Sequence, residues 1–326
     1  MYQVSQLQSL FGEYLEANKF LKSPTGLYEP IDYIMSLGGK RIRPVLLLMG
    51  CNLFSDEVEG ALPAAFAVEV FHNFTLLHDD IMDEAPLRRG KPTVHEKYNQ
   101  NTGILSGDVM LVYAYELMLR VKSKAQLADL LAVFNRFAIE VCEGQQSDMD
   151  FEERNDVTIP EYLKMIEQKT AALIAGSLKI GALIGGADES DAHHLFEFGR
   201  NIGIAFQLQD DILDTYGDPA KFGKKVGGDI AQNKKTFLVL KTMELADDEG
   251  KGKLSYLMNE TTIIDEREKI NAVKSVFDQF QVRSISTALM EKYLATAFEH
   301  LGKISIEEER KVGLRQIANR LMGRES

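Results

Sequence analysis

The chain has 326 residues, 45% of them apolar, which is ample for a large buried core, and its 49 acidic against 37 basic residues leave a formal charge of −12. That balance excludes the basic footprint that a nucleic-acid partner requires. Its two cysteines, Cys51 and Cys142, exclude a disulfide framework or a thiolate zinc site and fit a reduced cytoplasm.

Apolar residues recur at spacings of three and four nearly throughout, so the periodicity predicts helix from end to end and no strands. Candidate helices lie near 3–20, 40–54, 59–83, 103–121, 124–143, 160–185, 190–215, 234–246, 263–278, 281–301 and 304–322. Pro63 and Pro160 suit a first helical turn, and Asp188, Ser190 and Asp191 suit the cap of the helix that follows them. The N-terminus lacks a basic segment followed by an apolar one, and runs such as Val45 to Met49 are too short to span a bilayer, so no membrane span is expected. All eight prolines fall at or before Pro219 and no Ser, Gly or Pro tract divides the chain, so residues 1–326 read as one all-α domain. Glycines crowd 176–203, which predicts a central cavity or close helix crossings there.

Two of the predicted helices close on the same pattern, DDxxD. The first is Asp79-Asp80-Ile81-Met82-Asp83 and the second Asp210-Asp211-Ile212-Leu213-Asp214. Positions four apart share a helical face, so Asp79 pairs with Asp83 and Asp210 with Asp214, while Asp80 and Asp211 swing roughly 100° away. Like charges stacked in this way cost a few tenths of a kcal/mol when solvated, and a helix C-terminus disfavours them further. A multivalent cation relieves both conflicts. Carboxylate oxygens suit Mg²⁺ bridged to phosphate, and Arg88 and Arg89, just beyond the first cluster, add forked donors for the same anion. An EF-hand is excluded by the spacing. A single DxxxD pair is ordinarily a solvated helix face; the repeat and its basic neighbours point to metal–diphosphate chemistry.

With these motifs stand Gly38-Gly39-Lys40-Arg41-Ile42-Arg43-Pro44, Gly107-Asp108, Glu143-Gly144-Gln145, Lys169-Thr170, Phe206-Gln207, Gly223-Lys224 and Lys234-Lys235-Thr236. Over nearly its full length the chain resembles the trans-type isoprenyl diphosphate synthases, the all-α enzymes that make farnesyl, geranylgeranyl and longer diphosphates. The resemblance implies a single large helical bundle of the isoprenoid synthase type with a central cavity. It implies that Asp79, Asp83 and Asp210 ligate three Mg²⁺ ions on the diphosphate of an allylic substrate, with Asp80, Asp211 and Asp214 in support. Arg88, Lys169, Lys224 and Lys234 would contact that diphosphate. Lys40, Arg43, His72 and Arg89 would bind isopentenyl diphosphate without metal, and Thr170 and Gln207 would face the reacting carbons. A cytoplasmic homodimer is the usual form of the family.

Ionising an allylic C–O bond needs a stabilised leaving group and no nucleophile near the cation, which metal ions and fixed cations provide. The prenyl tail is expected to run along helix 59–83. There one turn, about 5.4 Å, approximates one isoprene unit, so Phe74, Thr75 and Phe71 set successive stops. In the family, Phe74 beside the smaller Thr75 with no insertion in DDIMD goes with C20 products, with C15 next. A class I terpene cyclase and a non-catalytic subunit of a heteromeric synthase remain the alternatives.

Overall fold

The structure, a computed structural model, describes residues 1–123, 125–217, 226–259 and 265–323. The first helices are α1 (Val4–Ala17), α2 (Thr25–Ser36), α3 (Ile42–Phe54) and α4 (Leu62–Met82), the last entered through a 3₁₀ turn at Glu59–Ala61. A two-strand ladder, β1 (Leu87–Arg88) with β2 (Lys91–Pro92), leads to α5 (Val94–Lys97), α6 (Gln100–Met118) and α7 (Leu127–Glu153). Helix α8 (Ile159–Ile166), a π turn at Glu167–Ala171, α9 (Ala172–Gly185) and α10 (Glu189–Tyr216) follow. The rest comprises helices Gly228–Ala231, Phe237–Leu245, Asp248–Leu257, Glu266–Gln279, Val282–Lys303 and Glu308–Met322.

Helix starts follow local chemistry. Thr158 and Glu161 form a capping box before α8, with Pro160 in its first turn. The Asp188 carboxylate accepts the Asp191 N–H at 2.8 Å at the head of α10.

Several elements differ from the sequence reading. Helix α2 is not among the expected helices; Pro30 lies inside it, yet Pro30, Ile31, Ile34 and Met35 are buried, and that burial overrides the proline's cost. Helix Asp248–Leu257 holds Gly250 and Gly252 and starts on an Asp247 cap to the Gly250 N–H at 2.8 Å. Helix α7 continues ten residues beyond the expected 143, through Gly144, and the expected helix 160–185 is divided by the π turn. The expectation of no strands fails at one hairpin, where Leu87 pairs with Pro92 and Arg88 with Lys91.

Contacts group the chain into two compact units. The first comprises Met1–Asn135, Gly176–Leu195 and Ser305–Gly313. Helix α4 is its centre, buried from Ala64 to Phe71 and packed against α6, α3, α1 and α2. Where α3 crosses the 176–185 segment the backbones nearly touch: a Cβ on Gly181 would stand 2.0 Å from the Leu47 carbonyl oxygen, and one on Gly185 2.5 Å from that of Cys51. Only glycine permits that approach. Burial, with a smaller contribution from Glu59, pushes the Cys51 thiol up to about 12, whereas Cys142 is exposed; neither forms a disulfide. By length and composition the stretch Glu59–Met82 could cross a membrane, but 67% of its most apolar window is buried inside the protein, as in a core helix.

The second unit comprises Arg136–Ala175, Phe196–Ile304 and Leu314–Ser326. One of its apolar clusters gathers Leu238, Val273, Phe277 and Val282. Another, around Phe151, Tyr162, Ile166 and Leu208, lies beside the second acidic cluster.

Candidate active site

Helix α4 ends on the first acidic cluster, with Asp83 as its C-cap donating its N–H to the Asp79 carbonyl at 2.8 Å. The periodicity separates the three carboxylates as expected. Asp80 is 2% exposed and accepts a forked pair from Arg88, Nε at 2.7 Å and Nη2 at 2.6 Å. Asp79 is half-buried and Asp83 exposed. Asp80 is thereby committed to holding Arg88, and removing either partner of so buried a pair costs about 3–5 kcal/mol.

Arg88 belongs to β1, and the turn beyond it is the two-residue kind that strand twist favours, with Arg89 at φ 55° and Gly90 at φ 74°. Arginine is an unusual occupant of a positive-φ position. Here it brings the Arg89 guanidinium onto the Gly38 carbonyl and against Gly39, where a Cβ would stand 2.8 Å from it. Gly39 itself has φ 131°, open only to glycine.

Arg43 and His72 meet inside the same unit, Nη1 to Nε2 at 3.2 Å. A guanidinium only donates, so Nε2 accepts and the imidazole is the neutral Nδ1–H tautomer. Burial, followed by the charges of Arg43, Arg89, Arg88 and Arg41, holds the His72 pKa well below its usual value. Burial also lowers the pKa of Arg43, whose buried Nε has no hydrogen-bond partner among the described residues. An unsatisfied buried guanidinium N–H beside a neutral imidazole and a second arginine makes an anion cradle, with Lys40 exposed on the loop that leads into α3.

In the second unit Asp211 is 3% exposed and accepts from the Tyr162 hydroxyl and from Gln207 Nε2, the latter at 3.1 Å. The Thr170 hydroxyl donates to Gln207 Oε1 at 3.1 Å, so Thr170, Gln207, Asp211 and Tyr162 form one chain of hydrogen bonds. Burial first, and Asp229 second, raise the Asp211 pKa well above its ordinary value. Asp214 accepts the Asp229 N–H at 2.9 Å, while Asp210 is half-buried with no hydrogen bond or ion pair to its carboxylate among the described residues.

Lys169 and Thr170 sit on the π turn, a local widening often found where side chains must be re-aimed. Lys169 Nζ pairs with Asp148 at 2.5 Å. Gly144 on α7 makes this possible, since a Cβ there would stand 2.4 Å from the Lys169 backbone nitrogen. Lys234 is half-buried and its N–H reaches the Asp229 carbonyl at 2.9 Å, while Lys235 Nζ caps the end of α7 through the carbonyls of Phe151 and Glu152. Lys224 lies outside the described residues.

Along α4, one turn below Asp79, the Phe74 ring packs 4.8 Å from His78 and 5.7 Å from Phe71. Phe71 meets Phe134 edge-on at 5.6 Å, and the Thr75 hydroxyl turns back to the His72 carbonyl at 2.9 Å. His78 Nε2 lies 3.3 Å from the Ile104 carbonyl oxygen, seated on Gly107, where a Cβ would fall 2.2 Å from that nitrogen.

The polyprenyl synthetase family model matches residues 24–279. A geranylgeranyl diphosphate synthase of Sulfolobus acidocaldarius is 41% identical over 287 residues, 87% of this chain and 86% of that protein. A short chain isoprenyl diphosphate synthase of Methanocaldococcus jannaschii is 41% identical over 254 residues, 78% of this chain and 77% of that protein. A crystal structure of geranylgeranyl pyrophosphate synthase, 46% identical, superposes with a TM-score of 0.94 over 100% of both chains. The chain belongs to the polyprenyl synthetase family. It is a prenyltransferase of the all-α isoprenoid synthase fold.

In this polyprenyl synthetase the structure brings Arg43, His72 and Arg89 together in one cluster and joins Thr170 and Gln207 to Asp211 in another. The sequence reading names neither Asp148, which holds Lys169, nor Tyr162, which holds Asp211. Asp148 stands in the polar run 143–150, a faint signal. Nothing local flags Tyr162, a partner 49 residues away from Asp211 in sequence.

Proposed function

We propose that this prenyltransferase joins isopentenyl diphosphate head-to-tail to an allylic diphosphate and releases an all-trans C20 product, geranylgeranyl diphosphate. The observation that carries the reading is the anion cradle of Arg43, His72 and Arg89, with its unsatisfied buried Nε, beside the first acidic cluster on α4. A diphosphate bound there without metal, with Lys40 at the rim, is the isopentenyl substrate. The names of the Sulfolobus and Methanocaldococcus relatives support the C20 and short-chain class.

The acidic clusters take the allylic diphosphate with metal. Among the described residues no three His, Cys, Asp or Glu side chains form a ready-made cage. The donor set nonetheless fits Mg²⁺, which binds through one or two carboxylates, several waters and substrate phosphates. Asp80 serves Arg88, Asp211 serves Tyr162 with Gln207, and Asp214 accepts the Asp229 N–H; the ligands we assign, following the family resemblance, are Asp79, Asp83 and Asp210. When bound, three Mg²⁺ ions supply the positive charge that stabilises the departing diphosphate.

The chain's own groups do the rest. Arg88, held by Asp80, and Lys169, Lys224 and Lys234 orient the allylic diphosphate. Thr170 and Gln207 offer uncharged oxygens to the allylic cation, which stabilise it without the nucleophilicity of a free carboxylate. The isopentenyl double bond attacks the cation, and the proton then lost passes to the released diphosphate. We assign the protein to the cytoplasm as a homodimer.

The test is mass spectrometry of products from isopentenyl diphosphate with dimethylallyl, geranyl or farnesyl diphosphate, with and without Mg²⁺. A C20 diphosphate from each primer, formed only with metal, is expected. Cyclised hydrocarbon without consumption of isopentenyl diphosphate would make the chain a cyclase, and no turnover by the purified chain alone would make it a subunit of a larger synthase.

A further inference from the structure

Arg41, Arg43, Arg88 and Arg89 all act on His72, but they are not equivalent. Arg88 is held by Asp80, and Arg41 is held by Glu69, a carboxylate 3% exposed in the apolar body of α4. Glu69 Oε1 accepts from Arg41 Nη1 and from Asn73 Nδ2, the latter at 2.9 Å, and Asn73 Nδ2 also reaches the Glu69 carbonyl at 2.8 Å. The other terminal nitrogen of Arg41 donates to the Met35 carbonyl, in the last turn of α2. One side chain therefore ties α4 to α2.

The backbone it anchors is strained. Arg41 has φ 46° and ψ 40°, a left-handed conformation unfavourable for a long side chain, and it follows Gly38 at φ 82° and Gly39 at φ 131°. Such a segment keeps its shape only when its surroundings over-determine it. Here Arg41 holds it from inside and Arg89, through the Gly38 carbonyl, from outside. Lys40 lies within this segment and Arg43 in the first turn of α3 directly after it.

We infer that Glu69 is a positioning residue for the second diphosphate: it draws Arg41 inward as a strut for residues 38–41, leaving Arg43, Arg89 and Lys40 aimed at the anion. A buried carboxylate balanced by one arginine also prevents that arginine from joining the cradle and competing for the ligand. The inference rests on the cradle's proposed role in binding isopentenyl diphosphate.

The test measures steady-state KM for each substrate, the melting temperature, and calorimetric binding of isopentenyl diphosphate in Glu69→Gln, Arg41→Lys and the double variant. Glu69→Gln is expected to raise KM for isopentenyl diphosphate about tenfold and weaken its calorimetric binding to match, leaving KM for the allylic substrate within about twofold. The double variant is expected to be no worse than the worse single one, since both remove the same strut. Arg41→Lys keeps a counter-charge for Glu69 but loses the fork to Met35; its selective rise in KM carries the test if Glu69→Gln does not fold. A lower melting temperature with both KM values unchanged, or equal rises in both, overturns the inference. Wild-type protein that binds no isopentenyl diphosphate overturns the cradle's reading as well, whereas wild type that binds and Glu69→Gln that binds equally overturns the role of Glu69 alone.

Discussion

His72 is a lone histidine on a buried helix face, and its tautomer follows from a neighbour that can only donate. Its depressed pKa has a consequence for stability. The unfolded chain protonates this histidine below about pH 6.5 while the folded chain resists, so the folded state binds fewer protons and stability falls as pH drops. Asp211 acts with the opposite sign: its raised pKa lets the folded chain hold a proton that the unfolded chain has lost, so stability falls as pH rises through that window. The difference between wild type and His72→Gln isolates the histidine. Thermal melts from pH 7.5 to 5.5 should show wild type losing up to about 1.4 kcal/mol more per pH unit than His72→Gln below about pH 6.5. Parallel curves would remove His72 as the acid-sensitive group. Phe74 also acts as a single residue. If it is the floor of the product channel, Phe74→Ala should shift products from C20 to C25 and longer, with Phe71 one turn deeper as the next stop, read by chromatography of the dephosphorylated alcohols. The same substitution removes packing worth about 3–5 kcal/mol, so the assay belongs well below the melting temperature.

At the scale of elements, the long apolar helices and both DDxxD ends were legible because a 3.6-residue period and a terminal carboxylate pair are local patterns. Helix α2 was not, since Pro30 argues locally against a helix that burial of Ile31 and Ile34 sustains. The π turn also carries no local signal: what marks it is the close approach of α7, where Gly144 lies against the Lys169 backbone. Of the site, the residue types were readable from the motifs and their holders were not, because Tyr162 meets Asp211 and Asp148 meets Lys169 only through the tertiary fold. The Gly144 contact can be tested. Gly144→Ala should destabilise the protein by about 1–3 kcal/mol through overpacking and, by displacing Lys169, lower kcat by about tenfold or more. A melting curve and turnover number unchanged from wild type would mean that the π turn yields without consequence.

For the molecule as a whole, the excess of acid has a use beyond solubility. Six aspartates lie in the two motifs, and a net charge of −12 relaxes when cations bind. Chelation with EDTA should abolish turnover and added Mg²⁺ restore it. Mg²⁺ and pyrophosphate together should raise the melting temperature by more than the sum of each alone, since each ligand completes the other's coordination; a hundredfold excess over the dissociation constant corresponds to about 2.7 kcal/mol. Strictly additive shifts would argue for separate sites. The two thiols make such experiments easier to follow. Cys51 is sealed under the glycine crossing of α3 and is a poor nucleophile at neutral pH, whereas Cys142 is exposed on α7 two positions before Gly144. A maleimide dye should therefore attach to the natural chain at one place only, next to the turn that carries Lys169, and its emission would give a direct optical report of what that turn does when diphosphate arrives.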